Sequence, residues 1–243
     1  MDAADHLATL VVRKLDDPGC RRPFLVGIAG PVAVGKSVLA AELAEALAVN
    51  GRRVDIVTTD GFLLPNAVLA ARGLEARKGF PESYDTERIR RFLAELREGR
   101  SEVTAPRYSH ERYDVLEGDE QVVREPEVVV VEGVNALQEP IAGALDLAVY
   151  VDAHERTVFE WYAERFGRLR AADLLEHPFY RSVYRQFATL DDGDLRSVAR
   201  LVWVEVNGRN LREHILPSRD RADIVVHKGA DHRVESVGPP VPR

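Results

Sequence analysis

The chain has 243 residues, of which 45% are hydrophobic and 30% charged, a globular composition with enough apolar material for one large core. Its formal charge of −7 speaks against nucleic acid as the main partner, and its single cysteine, Cys20, excludes an internal disulfide and suits a reducing compartment. No apolar run approaches the roughly 20 residues of a membrane-spanning helix, and the acidic start MDAADHLATLVV lacks the basic leader of a signal peptide, so the expected location is the cytoplasm with no membrane partner.

In chain order, residues up to about Asp17 read as one amphipathic helix, and DDPGCRRP as a connector rich in turn residues. Phe24–Ala29 is a short apolar strand. It runs into Gly30-Pro31-Val32-Ala33-Val34-Gly35-Lys36-Ser37, the spacing G-x-x-x-x-G-K-S. Ser37–Ala48 is a helix with apolar residues nearly all round, expected to be buried against a sheet. Arg52–Thr59 is a second strand that delivers Asp60. Asp85–Gly99 begins with an Asp cap and ends at Gly, as a surface helix does. Pro126–Gly133 is a nearly all-valine run suited to a central strand, with Glu132 at its end. Asp146–Ala153 is another strand, and helix follows from about His154 to Arg170. Ala222–Gly229 is read as the last strand and the proline-rich end, residues 238–243, as a loose tail. Strands alternating with helices predict an α/β fold: a parallel sheet flanked by helices in one domain over residues 1–243, with a helical lid at about 154–216.

The glycine-rich turn carries the chemistry. A turn after a strand that aims successive N–H groups inward, followed by a helix N-terminus, is an anion site. Gly30 and Gly35 let the backbone wrap phosphates, Lys36 reaches the terminal ones, and the Ser37 hydroxyl suits Mg²⁺. The loop from Gly30 to Val38 is therefore expected to hold a nucleotide such as ATP. Ligands of open parallel sheets bind beyond the carboxyl ends of the strands, so Ser37, Asp60 and Glu132 are expected to converge there. The motif alone leaves open whether the phosphate is hydrolysed, sensed or passed to a second substrate. No N-K-x-D guanine-reading motif and no basic track support a switch or motor.

Seven further segments decide among these. TTDGFLLPN (58–66), RKGFPESYD (77–85), APRYSHERYDV (105–115), VVEGVNALQ (130–138), WYAERF (161–166), VNGRNLREHILPSRDRA (206–222) and KGADHRV (228–234) occur in the order and at about the spacing of the bacterial type I pantothenate kinases, which the chain resembles from about Phe24 to Val237. The resemblance implies a P-loop kinase, related to uridine kinase and phosphoribulokinase, that phosphorylates pantothenate with ATP at the entry to coenzyme A synthesis. The alternative is a kinase of the same architecture acting on another small alcohol. By residue, the resemblance implies Asp60 as the acid that takes or orients the acceptor hydroxyl, with Gly61 leaving room for the substrate, and Lys36 and Arg165 on the transferring phosphate. It implies Ser37 and Glu132 at Mg²⁺, Tyr108, His110, Tyr162 and Asn207 on pantothenate, and Lys228 and His232 near the adenine. Tyr113 and Phe166 are read as pocket walls, and the aromatics of HPFYRSVYRQF (177–187) as lid core. The family tends to dimerise, so a homodimer is expected.

Four departures from the family accompany the match. Fewer residues precede Phe24 than the family usually has, so contacts to the base and to a partner subunit from that region are expected to be missing. The stretch EPIAGALDLAVY after Gln138 is short, which predicts a more open pocket. Where the family places a basic residue one turn into the helix, this chain has Ala41, which predicts weak feedback by coenzyme A. His214 and Ser218 replace commoner residues, a minor change.

Overall fold

A computed structural model describes residues 2–176 and 190–241. The first helix, α1 (Ala3–Leu15), packs its apolar stripe of Leu7, Val11 and Leu15 onto α2 (Lys36–Val49), which follows strand β1 (Phe24–Ala29). Gly35 precedes α2 at φ 93°, a left-handed conformation that a side-chain-bearing residue adopts only at a cost. Strand β2 (Val54–Thr58) runs into a tight turn over Thr59–Phe62, then α3 (Asn66–Ala71). Asp85 caps α4 (Thr86–Arg97) by accepting from the Arg88 N–H at 2.9 Å.

Strands β3 (Glu102–Ser109) and β4 (Asp114–Arg124) form an antiparallel hairpin apart from the main sheet. Strand β5 (Val128–Glu132) is buried throughout, and β6 (Leu147–Ala153) leads into α5 (Glu155–Glu176). After α6 (Asp192–Val202) the chain continues helically to Arg221 through two wide-turn stretches, Trp203–Asn207 and Leu211–Ile215. Strands β7 (Ile224–Lys228) and β8 (Val234–Gly238) complete the sheet.

The sheet order is β2-β5-β1-β6-β7-β8, parallel through β7. Both faces are covered, which is why β1 and β5 read as unbroken apolar runs rather than alternating ones. Val26, Ile28, Val128 and Val130 belong to the core shared with α1, α2 and α5, while Leu25, Val129 and Val131 belong to the core under α4 and the hairpin. Each such side chain, once fully buried, stabilises the fold by about 1.5–3 kcal/mol. The register sets Glu132 opposite Ile28 on one side and Thr58 on the other, so the ends of β1, β2 and β5 lie level.

Four expectations need correction. The β3–β4 hairpin was not anticipated. Ala222–Gly229 does not end the sheet: β8 follows, antiparallel to β7. The end of the chain is held as far as Val241, because Gly238 pairs with Val225 and Arg219 donates to the Val241 carbonyl at 2.9 Å. Helix α2 is buried on one side only, with Val38 57% and Val49 84% exposed. The segment 177–187 lies outside the described residues. Among the described residues no helix is long and apolar enough to cross a membrane.

Candidate active site

The phosphate loop is shaped by two glycines. Gly30 has φ 145°, and a Cβ there would stand 2.3 Å from the Val151 carbonyl oxygen; Gly35 takes the second left-handed position. Lys36 opens α2, is buried, and donates from Nζ to the Pro31 carbonyl at 2.8 Å, which folds its ammonium back over the loop. Burial lowers its pKa, and nearby Glu132 and Asp60 raise it while Arg165 lowers it further. All four charged groups therefore act on one point.

Ser37 Oγ donates to Glu132 Oε1 at 3.0 Å. A hydroxyl and a carboxylate side by side at the mouth of a phosphate loop suit Mg²⁺, a hard cation that keeps several waters. The loop and this pair fit a magnesium nucleotide. Asp60 sits two residues past β2, inside the Thr59–Phe62 turn rather than at the strand end.

Two clefts meet here. The first, of about 400 Å³, is lined by Lys36, Ser37, Asp60, Glu132, Tyr108, His110, Tyr113, Tyr162, Arg165, Phe166 and Asn207 among others. The second, of about 850 Å³, runs over the helix α2 side and is lined by Gly35, Val38, Trp161, Lys228 and His232. Ala33, Lys36, Ser37, His110 and Arg165 line both. A group held in the second cleft thus reaches one held in the first across Lys36 and Arg165.

The rest of the first cleft comes from appended elements. The hairpin's tip presents Tyr108, His110 and Tyr113, whose rings meet edge-on at 5.2 Å (Tyr108–His110) and 6.4 Å (Tyr108–Tyr113). Helix α5 presents Tyr162 and Phe166, packed with Trp203. Asn207 comes from the wide-turn stretch, and Asn210 beyond it donates from Nδ2 to the Gly79 carbonyl at 2.8 Å.

Lys228 and His232 both line the second cleft, and one placement, that of Gly61, differs from expectation. Lys228 lies against the phosphate loop, its Nζ 3.3 Å from the Val34 carbonyl it donates to, and His232 stacks on Trp161 with centroids 4.1 Å apart at 18°. Gly61 does not leave room for a substrate: a Cβ there would be 2.0 Å from the Pro106 carbonyl oxygen, so the glycine serves the close approach of the hairpin.

The sequence reading passed over Lys78. Its Nζ donates to Asn66 Oδ1 at 2.6 Å and to the Tyr113 carbonyl at 2.5 Å, and lies 4.1 Å from the Tyr113 ring centroid. Burial lowers its pKa to about 8, with Asp114 and Asp60 acting in the opposite direction. Its place inside the motif RKGFPESYD was the signal for it.

The Phosphoribulokinase / Uridine kinase family matches residues 25–173. A pantothenate kinase of Sorangium cellulosum is 46% identical over 97% of this chain and 78% of its own length. One of Cutibacterium acnes is 44% identical over 89% of this chain and 69% of its own. The fold is shared with D-glycerate 3-kinase of Cryptococcus neoformans, at TM-score 0.63 and 15% identity over 97% of this chain and 98% of that one. With this fold, this loop and these relatives, the chain belongs to the pantothenate kinases within the phosphoribulokinase/uridine kinase family.

Proposed function

We propose that the protein transfers the terminal phosphoryl group of ATP to the primary hydroxyl of pantothenate, the first step of coenzyme A biosynthesis. The observation that carries this reading is the meeting of the two clefts at Lys36 and Arg165, with Asp60 on the acceptor side, in a chain so close to pantothenate kinases.

Phosphoryl transfer asks the protein mainly for alignment and for positive charge around the moving group. In this reading Lys36 and the loop N–H groups hold the terminal phosphates. Arg165, facing both clefts, follows the group as it moves, a task that suits a planar guanidinium able to engage two oxygens. Asp60 accepts the proton of the acceptor hydroxyl and holds its oxygen in line. Ser37 and Glu132 are the residues that would hold Mg²⁺, which would supply charge neutralisation beside the phosphates. Tyr108, His110, Tyr162 and Asn207 offer hydroxyl, imidazole and amide groups to the hydroxyls, amide and carboxylate of pantothenate, and Lys78 adds a positive charge on the same side. Lys228 and His232 border the nucleotide.

A panel of small alcohols with coupled ADP readout tests this. Pantothenate is expected to stimulate ADP formation far above nucleosides, sugars and glycerate. Turnover with another alcohol and none with pantothenate overturns the reading in favour of a kinase of the same architecture with a different acceptor.

A further inference from the structure

Behind Asp60 lies a small polar niche that the mechanism above leaves unused. Thr59 is fully buried and Tyr84 is 5% exposed, yet neither Thr59 Oγ1 nor the Tyr84 hydroxyl has a hydrogen-bond partner of good geometry among the described residues. A buried hydroxyl left unpaired costs about 1–3 kcal/mol, so a pair of them beside a reaction centre asks for a reason.

The fold places the two hydroxyls deliberately. Tyr84 is clamped by its backbone to the turn that carries Asp60: it bridges Leu63, the Leu64 N–H donates to the Ser83 carbonyl at 2.8 Å, and the Asp85 N–H donates to the Phe62 carbonyl at 2.8 Å. The Leu63 N–H in turn donates to the Asp60 carbonyl at 3.1 Å. Thr59 precedes Asp60 and sits hard against the end of β5: a Cβ on Gly133 would stand 1.8 Å from Thr59 Oγ1. Gly133 follows Glu132, so Thr59 lies between the two strand ends that deliver the carboxylates. Tyr84 borders the acceptor cleft together with Asp60, Glu132 and Gly133. Burial, then the charge of Asp60 and, less, that of Glu132, push the phenol's pKa up against a lowering contact from the Thr59 side chain, so it stays protonated and able to donate.

The two hydroxyls lie close enough that Thr59 acts on the Tyr84 phenol, and the carboxylates of Asp60 and Glu132, which accept and cannot donate, act on it as well. Glu132 already accepts from Ser37. We propose that Tyr84 and Thr59 are positioning residues for Asp60, their hydroxyls donating to its carboxylate directly or through one enclosed water. A water enclosed there would find its partners among the Tyr84 and Thr59 hydroxyls and the carboxylates that act on Tyr84. The pair fixes which carboxylate oxygen faces the acceptor. Because the geometry is built into a backbone clamp, it is set before substrate arrives.

This inference rests on the reading of Asp60 as the acceptor of the hydroxyl proton, and the experiment separates the two. Single-turnover transfer is measured in wild type, Tyr84→Phe, Thr59→Val, the double variant and Asp60→Asn, with KM for ATP and pantothenate and the thermal midpoint of each. Loss of a hydrogen bond to a charged group predicts a fall of about tenfold in the transfer rate for Tyr84→Phe, with both KM values held within about twofold. Thr59→Val is expected to fall similarly, and the double variant no further than the worse single one, because one network is lost once. An unchanged transfer rate in Tyr84→Phe overturns the proposal. So does a loss that appears as raised KM and lowered midpoint and adds in the double variant, since that is a packing effect. If Tyr84→Phe does not fold, Thr59→Val decides alone by the same criteria. Near-normal transfer by Asp60→Asn overturns the underlying reading instead, whatever the other variants do.

Discussion

The two walls of the cleft are built from different materials. The phosphate wall is mostly main chain: a glycine turn at the end of a fully buried strand, one buried lysine, and Glu132 at the end of the neighbouring strand, whose register is fixed by the sheet. The acceptor wall is side chain, gathered from a hairpin tip, a loop around Lys78, α5 and a wide-turn stretch of helix. The first wall handles a group that every P-loop kinase shares, and backbone donors suffice for it. In the proposed function the second is the one that discriminates among acceptors, and it uses elements that can change without disturbing the sheet.

The walls join at Gly61, where the turn carrying Asp60 touches the hairpin at Pro106 too closely for a side chain.

The largest effect is expected where chemistry rather than binding is removed. Asp60→Asn keeps the shape of the turn and deletes the proton acceptor, so transfer falls by about 10²–10⁴-fold, the usual worth of a general base. ATP affinity, measured by titration calorimetry, stays near wild type because Asp60 is not part of the loop. Lys36→Ala is the contrasting change on the phosphate wall: nucleotide binding and transfer should both fall. If the two variants lose the same functions, the division into walls is wrong.

How much of this was readable beforehand follows the same division. Strands β1 and β5 and the cap at Asp85 are local features, written in runs of apolar residues and in one capping side chain, and they lie where periodicity places them. Lys36, Ser37, Asp60 and Glu132 line one cleft, as the loop spacing and the strand ends place them, and Arg165, which only the resemblance placed there, lines it too. The hairpin did not show, because Pro106 and the irregular register between Pro106 and Tyr108 interrupt its alternation, and its sequence drew attention as a motif instead. Strand β8 was hidden behind the turn residues at 229–233, and nothing local announces that Arg219 reaches Val241. Lys78 and Tyr84 join the site through partners far along the chain, Tyr113 for one and Leu63 for the other, so no window of sequence contains the contact. Gly61 was assigned to substrate because the hairpin that crowds it was not foreseen.

A second test concerns the acceptor wall alone. Lys78 has a pKa of about 8, lowered by burial. Below that pH it is charged and supports an oxygen-rich acceptor; above it the charge is lost. KM for pantothenate should therefore rise as pH increases through 8, by at most about tenfold per pH unit, while KM for ATP does not follow. Lys78→Met should show the raised KM at all pH values and no such rise. Identical profiles for the variant and wild type remove Lys78 from acceptor binding. The same depressed pKa has a sign for stability: between about 8 and the ordinary lysine value near 10.4 the unfolded chain binds more protons, so this group favours folding more as pH rises there.

The smallest expected effect lies outside both walls. Ala41 is exposed on the second turn of α2, one residue before Glu42, whose charge acts on Lys228 beside the phosphate loop. An alanine offers nothing to the phosphates of a long anionic inhibitor that enters over this helix, so coenzyme A should compete with ATP only weakly. Ala41→Arg supplies an exposed cation near one acidic neighbour. Partial screening and that neighbour limit its worth to about 1 kcal/mol, roughly a fivefold tightening of inhibition, and the gain should shrink as salt is raised. Tight competition by coenzyme A in the wild-type protein would show that its phosphates are held elsewhere, and Lys228 would then be the first cation to examine, since it already stands against the loop.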